Sequence, residues 1–258
     1  MRLSITGLRL FKACRRAYEL KYVEGVTPVS TADALETGRS YHGKLEDLYN
    51  TGELDTSDFT RESAMAAAYL KYIYPHVDVC RAEQFLELPI SEADSLIGIV
   101  DGIAPDGSIV EHKTTSVDIE EYVYGLQWDE QILAYMLLTG ARKVYFTICR
   151  KPTIRIRKDE TEKQFFERMC AWYDDDTESK IRLVEIARTD EEVAAFEVAL
   201  KRMAQELRTD NWYRNTAHCM CWGRRCEYAP ICLNYDPTQE YVGFNRREKD
   251  AASENGRD

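Results

Sequence analysis

Residues 98–113, GIVDGIAPDGSIVEHK, constrain the fold more than any other stretch of the chain. Two apolar runs flank Pro105-Asp106-Gly107, and each run carries one acid, Asp101 and Glu111. Proline presets its own φ and glycine accepts a positive one, so the triplet reads as the turn of a β-hairpin. The two acids are placed symmetrically about Asp106. A turn centred there sets them directly opposite each other, with Cβ atoms about 4.5–5.5 Å apart. Carboxylates that close repel, and a divalent cation between them removes the penalty by taking their oxygens as ligands. Lys113 follows Glu111 on the same face. Its ammonium has the reach to hold a water or hydroxide in line with a phosphodiester, or to neutralise charge in a transition state. Regular alternation also puts Ile97, Ile99 and Ile103 on the face of Asp101, so the acid interrupts a core-like surface. Such local violations are where functional sites are expected. The competing reading is an ordinary surface hairpin with a Glu–Lys pair, and the hairpin alone does not exclude it.

The formal net charge of −11 counts against a protein that coats DNA nonspecifically. The average conceals two basic stretches. FKACRRAYELK contributes Lys12, Arg15, Arg16 and Lys21, and RKPTIRIRK contributes Arg150, Lys151, Arg155, Arg157 and Lys158. If TIRIRK is a strand, Arg155 and Arg157 share one face while Ile154 and Ile156 turn to the core. A solvated charged face is the alternative for either run. No apolar run reaches transmembrane length, and the N-terminal MRLSITGLRLFKACRRAYELKY is too polar for a signal peptide. A soluble, cytoplasmic protein with no membrane partner is expected, and in a reducing cytosol its eight cysteines are not expected to form structural disulfides.

Helix signals run from a cap at Ser4 or Thr6 to about Tyr22, from about Thr31 through Tyr49, and from near Glu62 to Tyr74. Three strand-like runs follow: CRAEQFLELPI, SLIGIVDGIA and SIVEHKTT. A helix over about Glu120–Leu138, ended by Gly140, precedes the strand KVYFTICR, with TIRIRK as its hairpin partner. Two long helices occupy about Glu160–Lys180 and Asp190–Arg208. The tail over 246–258 reads as disordered. Helices, a meander, a helix and a returning strand predict an α/β fold. Its mixed central sheet is flanked by helices, with helical extensions at both ends.

Three more residues gain meaning beside the hairpin. His42 shares a helix face with Leu45 and Tyr49, where a lone histidine is ordinarily a packing residue. Gln131 and Tyr135 stand four apart in WDEQILAY, on one helix face. An upstream His on a helix, then Asp, then Glu-x-Lys in a hairpin, then Gln-x-x-x-Tyr on the next helix resembles the PD-(D/E)XK nuclease superfamily. Within it the order is similar to the RecB-like exonuclease branch. The resemblance implies a restriction-endonuclease-like core over about 31–158, within one domain spanning 1–245. It implies Mg²⁺ or Mn²⁺ bound by His42, Asp101, Glu111 and the backbone carbonyl of His112. Lys113 would position the attacking water, while Gln131 and Tyr135 would orient the lysine and the DNA backbone. Val100 stands where the motif's name has a proline.

The segment YRNTAHCMCWGRRCEYAPIC holds Cys219, Cys221, Cys226 and Cys232, and the first helix holds Cys14. Zinc ligands usually come as C-x2–4-C knuckles, and this layout offers no clean pair of them. One remote cysteine and three clustered ones resemble the iron–sulfur staple of RecB-like nucleases, including AddB-type and CRISPR-associated members. By that resemblance Cys14, Cys219, Cys226 and Cys232 ligate a [4Fe-4S] cluster joining 1–24 to 209–236, with Cys221 an alternative to Cys219. Cys80, Cys149 and Cys170 read as small buried residues.

The expected activity is metal-dependent hydrolysis of DNA, by an exonuclease acting on single-stranded ends or unwound DNA, alongside recombination, phage or CRISPR-associated proteins. The alternatives are a catalytically silent nucleic-acid-binding scaffold that keeps the fold, and a zinc-stabilised regulatory module.

Overall fold

A computed structural model describes residues 1–29, 33–221 and 224–247. The expected helix start at Thr31, and the tail beyond 247, fall outside the described residues. In chain order the first elements are β1 (Arg2–Ser4), α1 (Ile5–Ala13), α2 (Arg15–Tyr18), β2 (Val26–Pro28), α3 (Asp33–Thr51) and α4 (Arg61–Tyr72). Then come β3 (Arg81–Pro89), β4 (Ser95–Ile103), β5 (Ile109–Thr115), α5 (Ile119–Gly125), α6 (Glu130–Thr139) and β6 (Lys143–Arg150). After them come α7 (Glu162–Asp174), β7 (Ile181–Ala187), α8 (Asp190–Leu207) and the short strands β8 (Met220–Cys221), β9 (Arg224–Arg225) and β10 (Phe244–Arg246). Among the described residues no helix is long and apolar enough to cross a membrane.

The chain forms two compact units, one of 1–32, 87–98 and 195–258, the other of 33–86 and 99–194. In the second unit, strand order runs β4-β5-β6-β7, with β3 also paired to β4. β4 and β5 are antiparallel, β5 and β6 parallel, and β6 and β7 antiparallel. The parallel pair needs a crossover, which α5 and α6 supply. Helices flank both faces of this mixed sheet. On one side Tyr41, Leu45 and Leu48 of α3, Met65 and Tyr69 of α4 and Tyr173 of α7 pack with Val110 and Cys149. On the other, Ile119 of α5 and Ile132 and Met136 of α6 pack with Ile109, Val144, Phe146 and Ile148. Adjacent residues Ile109 and Val110 thus serve opposite layers, as the period of a strand requires.

Local chemistry explains the boundaries. Ser4 accepts from Gly7 N and Thr60 from Ser63 N, each capping the helix that follows. Thr161 and Gln164 form a reciprocal capping box at the start of α7. Gly107, at φ 82°, closes the hairpin turn, with Gly107 N donating to Ala104 O and Ala104 N to Ser108 O.

Several expectations fail. The helix expected to reach Tyr22 breaks at Cys14, whose extended backbone (φ −160°, ψ 111°) separates α1 from α2, and a π-helical turn covers Glu19–Val23. The helix expected over 120–138 is two, divided by a 3-10 turn at Leu126–Trp128 and by extended Asp129. TIRIRK is not a strand. β6 pairs instead with β7, so Ile156 is left exposed rather than buried. Apolar alternation in IRLVEIA wins the sheet edge because Ile181 reaches the core, whereas 153–158 alternates around charges that keep their water. Cys80 is exposed, contrary to expectation, while Cys149 is buried and Cys170 half-buried.

In the first unit, β1 runs parallel to the opening residues of β4, Leu3 opposite Leu96. Cys14, Ala17, Leu20 and Val26 pack with Tyr228 and Ile231. The buried Asp94 carboxylate accepts from Arg208 Nη2 at 2.6 Å and from Ser91 Oγ at 2.8 Å.

Candidate active site

The hairpin register places Gly102 opposite Val110 and Ile103 opposite Ile109, which centres it on Asp106. The regular ladder stops one residue short of the two acids. His112 N, next in line to bond across the strands, donates instead to Asp101 Oδ2 at 2.7 Å. The alternation slips at the same place: Val100 and Ile103, three apart, line the same cluster. A regular strand would put them on opposite faces, so Ile103 does not share the face that sequence alternation gave it. Beside the irregularity Gly102 lets Val79 approach the backbone closely, since a Cβ there would meet Val79 Cγ1 at 2.9 Å.

Two groups of side chains converge on this break. From α3, His42 Nδ1 lies 3.2 Å from Asp101 Oδ1. From β5, Glu111 Oε1 accepts from Lys113 Nζ at 2.6 Å, and Lys113 also donates to Gln131 Oε1 at 2.9 Å. Gln131 Nε2 in turn donates to Tyr135 OH at 2.7 Å. The turn of chain that places Gln131 is local in origin: Asp129 caps α6 by accepting from Gln131 N at 2.8 Å. Glu111, Lys113, Gln131 and Tyr135 therefore form one continuous hydrogen-bonded chain. The His112 ring is not part of that chain: it stacks on Tyr49 at 5.8 Å, stands edge-on to His42 at 6.0 Å, and its Nδ1 is 2.7 Å from Thr147 Oγ1.

Electrostatics follow from burial. Burial works against the charge on His42, but Asp101 and then Glu111 outweigh it and lift the imidazole to about 9. Burial likewise opposes ionisation of Asp101, yet His42, His112 and Lys113 hold it below the usual carboxylate range. Glu111, 2% exposed, is pushed above that range by burial and by Asp101. Its Oε2 has no hydrogen-bond partner among the described residues. A buried, unpaired carboxylate oxygen facing a second carboxylate is costly unless a cation meets it.

One residue here escaped the sequence. Glu83, on β3, brings a carboxylate oxygen within 4.8 Å of a ligand atom from both His42 and Asp101. Its backbone is left-handed, at φ 47°, which is costly for a residue with a Cβ. The only sequence signal was a glutamate inside a strand, where glutamate is mildly disfavoured. One imidazole and two carboxylates are the nitrogen and oxygen donors that a small divalent cation accepts.

The four cysteines of the expected staple also meet, in the first unit. Cys14, Cys219, Cys226 and Cys232 line one cavity together with Arg214, Asn215 and His218. Asn215 explains how the N-terminal cysteine is held: its side chain donates to Ala13 O at 2.8 Å and its amide to Cys14 Sγ at 3.4 Å. The side chain of Cys221 lies outside the described residues.

A mixed sheet that carries an acid and a Glu-x-Lys on neighbouring strands, flanked by helices on both faces, defines a nuclease fold. The chain belongs to the PD-(D/E)XK nuclease superfamily, whose family model matches residues 2–233. A candidate exonuclease from Eubacterium rectale is similar in fold, at 13% identity and a TM-score of 0.52 over 93% of this chain and 90% of that one. An alkaline exonuclease from Laribacter hongkongensis is 14% identical over 81% and 89% of the two chains, with a TM-score of 0.38. A phage-related exonuclease from Haemophilus somnus is 16% identical over 70% and 86%, with a TM-score of 0.37. Among curated proteins, none matches the sequence.

Proposed function

We propose that the protein is a Mg²⁺- or Mn²⁺-dependent DNA nuclease, an exonuclease acting on single-stranded or unwound DNA. In this reading it works as one RecB-like nuclease domain over 1–245. The observation that supports it most is the convergence of His42, Asp101, Glu111 and Lys113 on the break in the β4–β5 ladder. His42, Glu83, Asp101 and Glu111, with the carbonyl of His112, would hold the cation. When bound, the cation lowers the pKa of a water and offsets charge building on the phosphate. Lys113, fixed from two sides by Glu111 and Gln131, presents its ammonium to the water and to the scissile phosphate. Tyr135 locks the Gln131 amide in the orientation that keeps its oxygen on the lysine.

The same reading includes a [4Fe-4S] cluster that Cys14, Cys219, Cys226 and Cys232 would hold, and what supports it is that the four line one cavity. Burial pushes the Cys226 thiol up, and its cysteine neighbours add to the shift, so a thiolate ligand there needs a bound metal centre to offset its charge. Its role is structural. By analogy with a cross-link closing a loop of that length, it would stabilise the fold by about 5 kcal/mol.

End-labelled single- and double-stranded DNA incubated with Mn²⁺ tests the activity. Degradation by the wild type that is lost in Asp101→Ala and Lys113→Ala is the expected result; cleavage that survives both substitutions refutes the site. Anaerobic purification tests the cluster. Brown protein containing iron and acid-labile sulfide is expected, and colourless protein sinks that part of the reading.

A further inference from the structure

One basic stretch remains outside this account: Arg9, Lys12, Arg15, Arg16 and Lys21 stand within thirteen residues, 9–21, that hold a single acid, Glu19. In a chain of net charge −11 this is a local reversal of sign. The fold adds aromatic rings to it. Trp212 stacks on Tyr18 with ring centres 5.9 Å apart and an interplanar angle of 19°. Tyr22 also lies against Tyr18, tilted, at 4.9 Å and 34°. Arg15 lies over the ring of Tyr213 at 5.0 Å, and Tyr213 is 54% exposed. Arg16 pairs with Glu19, and its backbone amide donates to Tyr213 O at 3.1 Å, tying α2 to the segment that carries both aromatics. Arg16, Glu19, Trp212, Tyr213, Arg214 and Thr216 line a single open groove.

We propose that this groove binds single-stranded DNA, with bases stacked on Tyr213 and Trp212 and phosphates paired with Arg16 and Arg214. The choice of DNA as the polymer rests on the nuclease reading above; the preference for single strands rests on the groove itself. An exposed ring beside guanidiniums, as Tyr213 is, with half-buried Trp212 next to it, suits unpaired bases, whose faces are free to stack, whereas duplex bases already stack on one another. The guanidiniums supply the salt-dependent share of the affinity. Glu19 opposes it, because the carboxylate competes with phosphate for Arg16.

That opposition gives a test whose sign a purely structural role would not reproduce. Fluorescence anisotropy of a labelled oligothymidylate is followed with the full-length protein in EDTA, so that no cleavage intervenes. Wild type binds, and its affinity falls steeply as salt rises. Tyr213→Ala weakens binding about five-fold or more, the loss expected for one base–ring stack, while Tyr213→Phe keeps it. Arg16→Gln weakens it and flattens the salt dependence. Glu19→Gln tightens it about two- to three-fold at low salt, because one repulsive charge is gone. Absence of binding, equal binding by the wild type and the Tyr213 and Arg16 variants, or weaker binding by Glu19→Gln overturns the proposal. A blunt duplex bound as tightly as the oligothymidylate, and equally insensitive to Tyr213→Ala, overturns it too. Intact binding without any Mn²⁺-dependent cleavage would leave the groove standing and remove the nuclease reading alone.

Discussion

The backbone amide of His112 donates to Oδ2 of Asp101 at 2.7 Å, taking a bond that an uninterrupted ladder would give to a carbonyl. Asp101 is thereby a structural acceptor as well as a candidate metal ligand, and substitutions should separate the two roles. Asp101→Asn keeps an acceptor for the amide and should unfold within a few degrees of wild type, yet bind Mn²⁺ poorly in calorimetric titration. Asp101→Ala leaves a buried N–H unpaired and should lose a further ~1–3 kcal/mol of stability. Equal thermal stability of the two variants would show that the bond carries no weight.

Lys113 and Gln131 act as a unit in this geometry. Lys113→Ala should lower the cleavage rate by about a hundred- to a thousand-fold, the scale of losing one electrostatic contact to a transition state. Gln131→Ala should cost less, about ten-fold, and should cost almost nothing more once the lysine is gone. Additive losses in the double variant, measured in single-turnover cleavage, would refute the coupling.

Glu83 carries a backbone penalty, its φ of 47°. Glu83→Gly should therefore be more stable than Glu83→Ala by about 1 kcal/mol, since only glycine takes φ 47° without a Cβ clash. Both variants should weaken Mn²⁺ binding alike. Denaturant midpoints and metal titrations read the two effects separately.

Gly102 is required by its neighbour. A methyl group there would press on Val79 Cγ1, so Gly102→Ala should cost about 1–3 kcal/mol in urea unfolding. Val79→Ala in the same chain should recover part of the loss; if it adds to the loss instead, the clash is not the cause.

Glu160 sets a pH signature. Arg168, donating from Nε at 2.7 Å and Nη2 at 2.6 Å, and the Arg157 amide lower its carboxyl to about 2 from an ordinary 4.5. A carboxyl depressed on folding contributes stability above its unfolded value and loses it as pH falls through the folded one. Wild type should thus melt above Glu160→Gln at pH 6, and the difference should shrink between about pH 4.5 and pH 2. A gap that persists at the acid end would contradict the assignment.

Much of the site was legible because it is local. Asp101, Glu111 and Lys113 follow from one hairpin and its turn, and the Gln131–Tyr135 pair follows from a helix repeat. His42 was legible only through resemblance, since a histidine on an apolar helix face says nothing about what it will touch. Glu83 was not legible at all. Its approach to His42 and Asp101 depends on a left-handed residue in β3, and glutamate carries no sequence mark for that conformation.

By itself the sequence determined the elements whose causes lie within a few residues. Ser4, Thr161 and Asp129 cap helices through their own side chains, and Pro105-Asp106-Gly107 fixes the centre of the hairpin. Tertiary structure decided which strand completes the sheet, where the ladder opens, and which side chains meet in the opening. β6 had two candidate partners of similar period, and the buried side of β7 chose between them. Strand period states which face a residue takes, but a hydrogen-bonding edge accepts any strand. Only the packing of distant segments against both faces selects the one that stays.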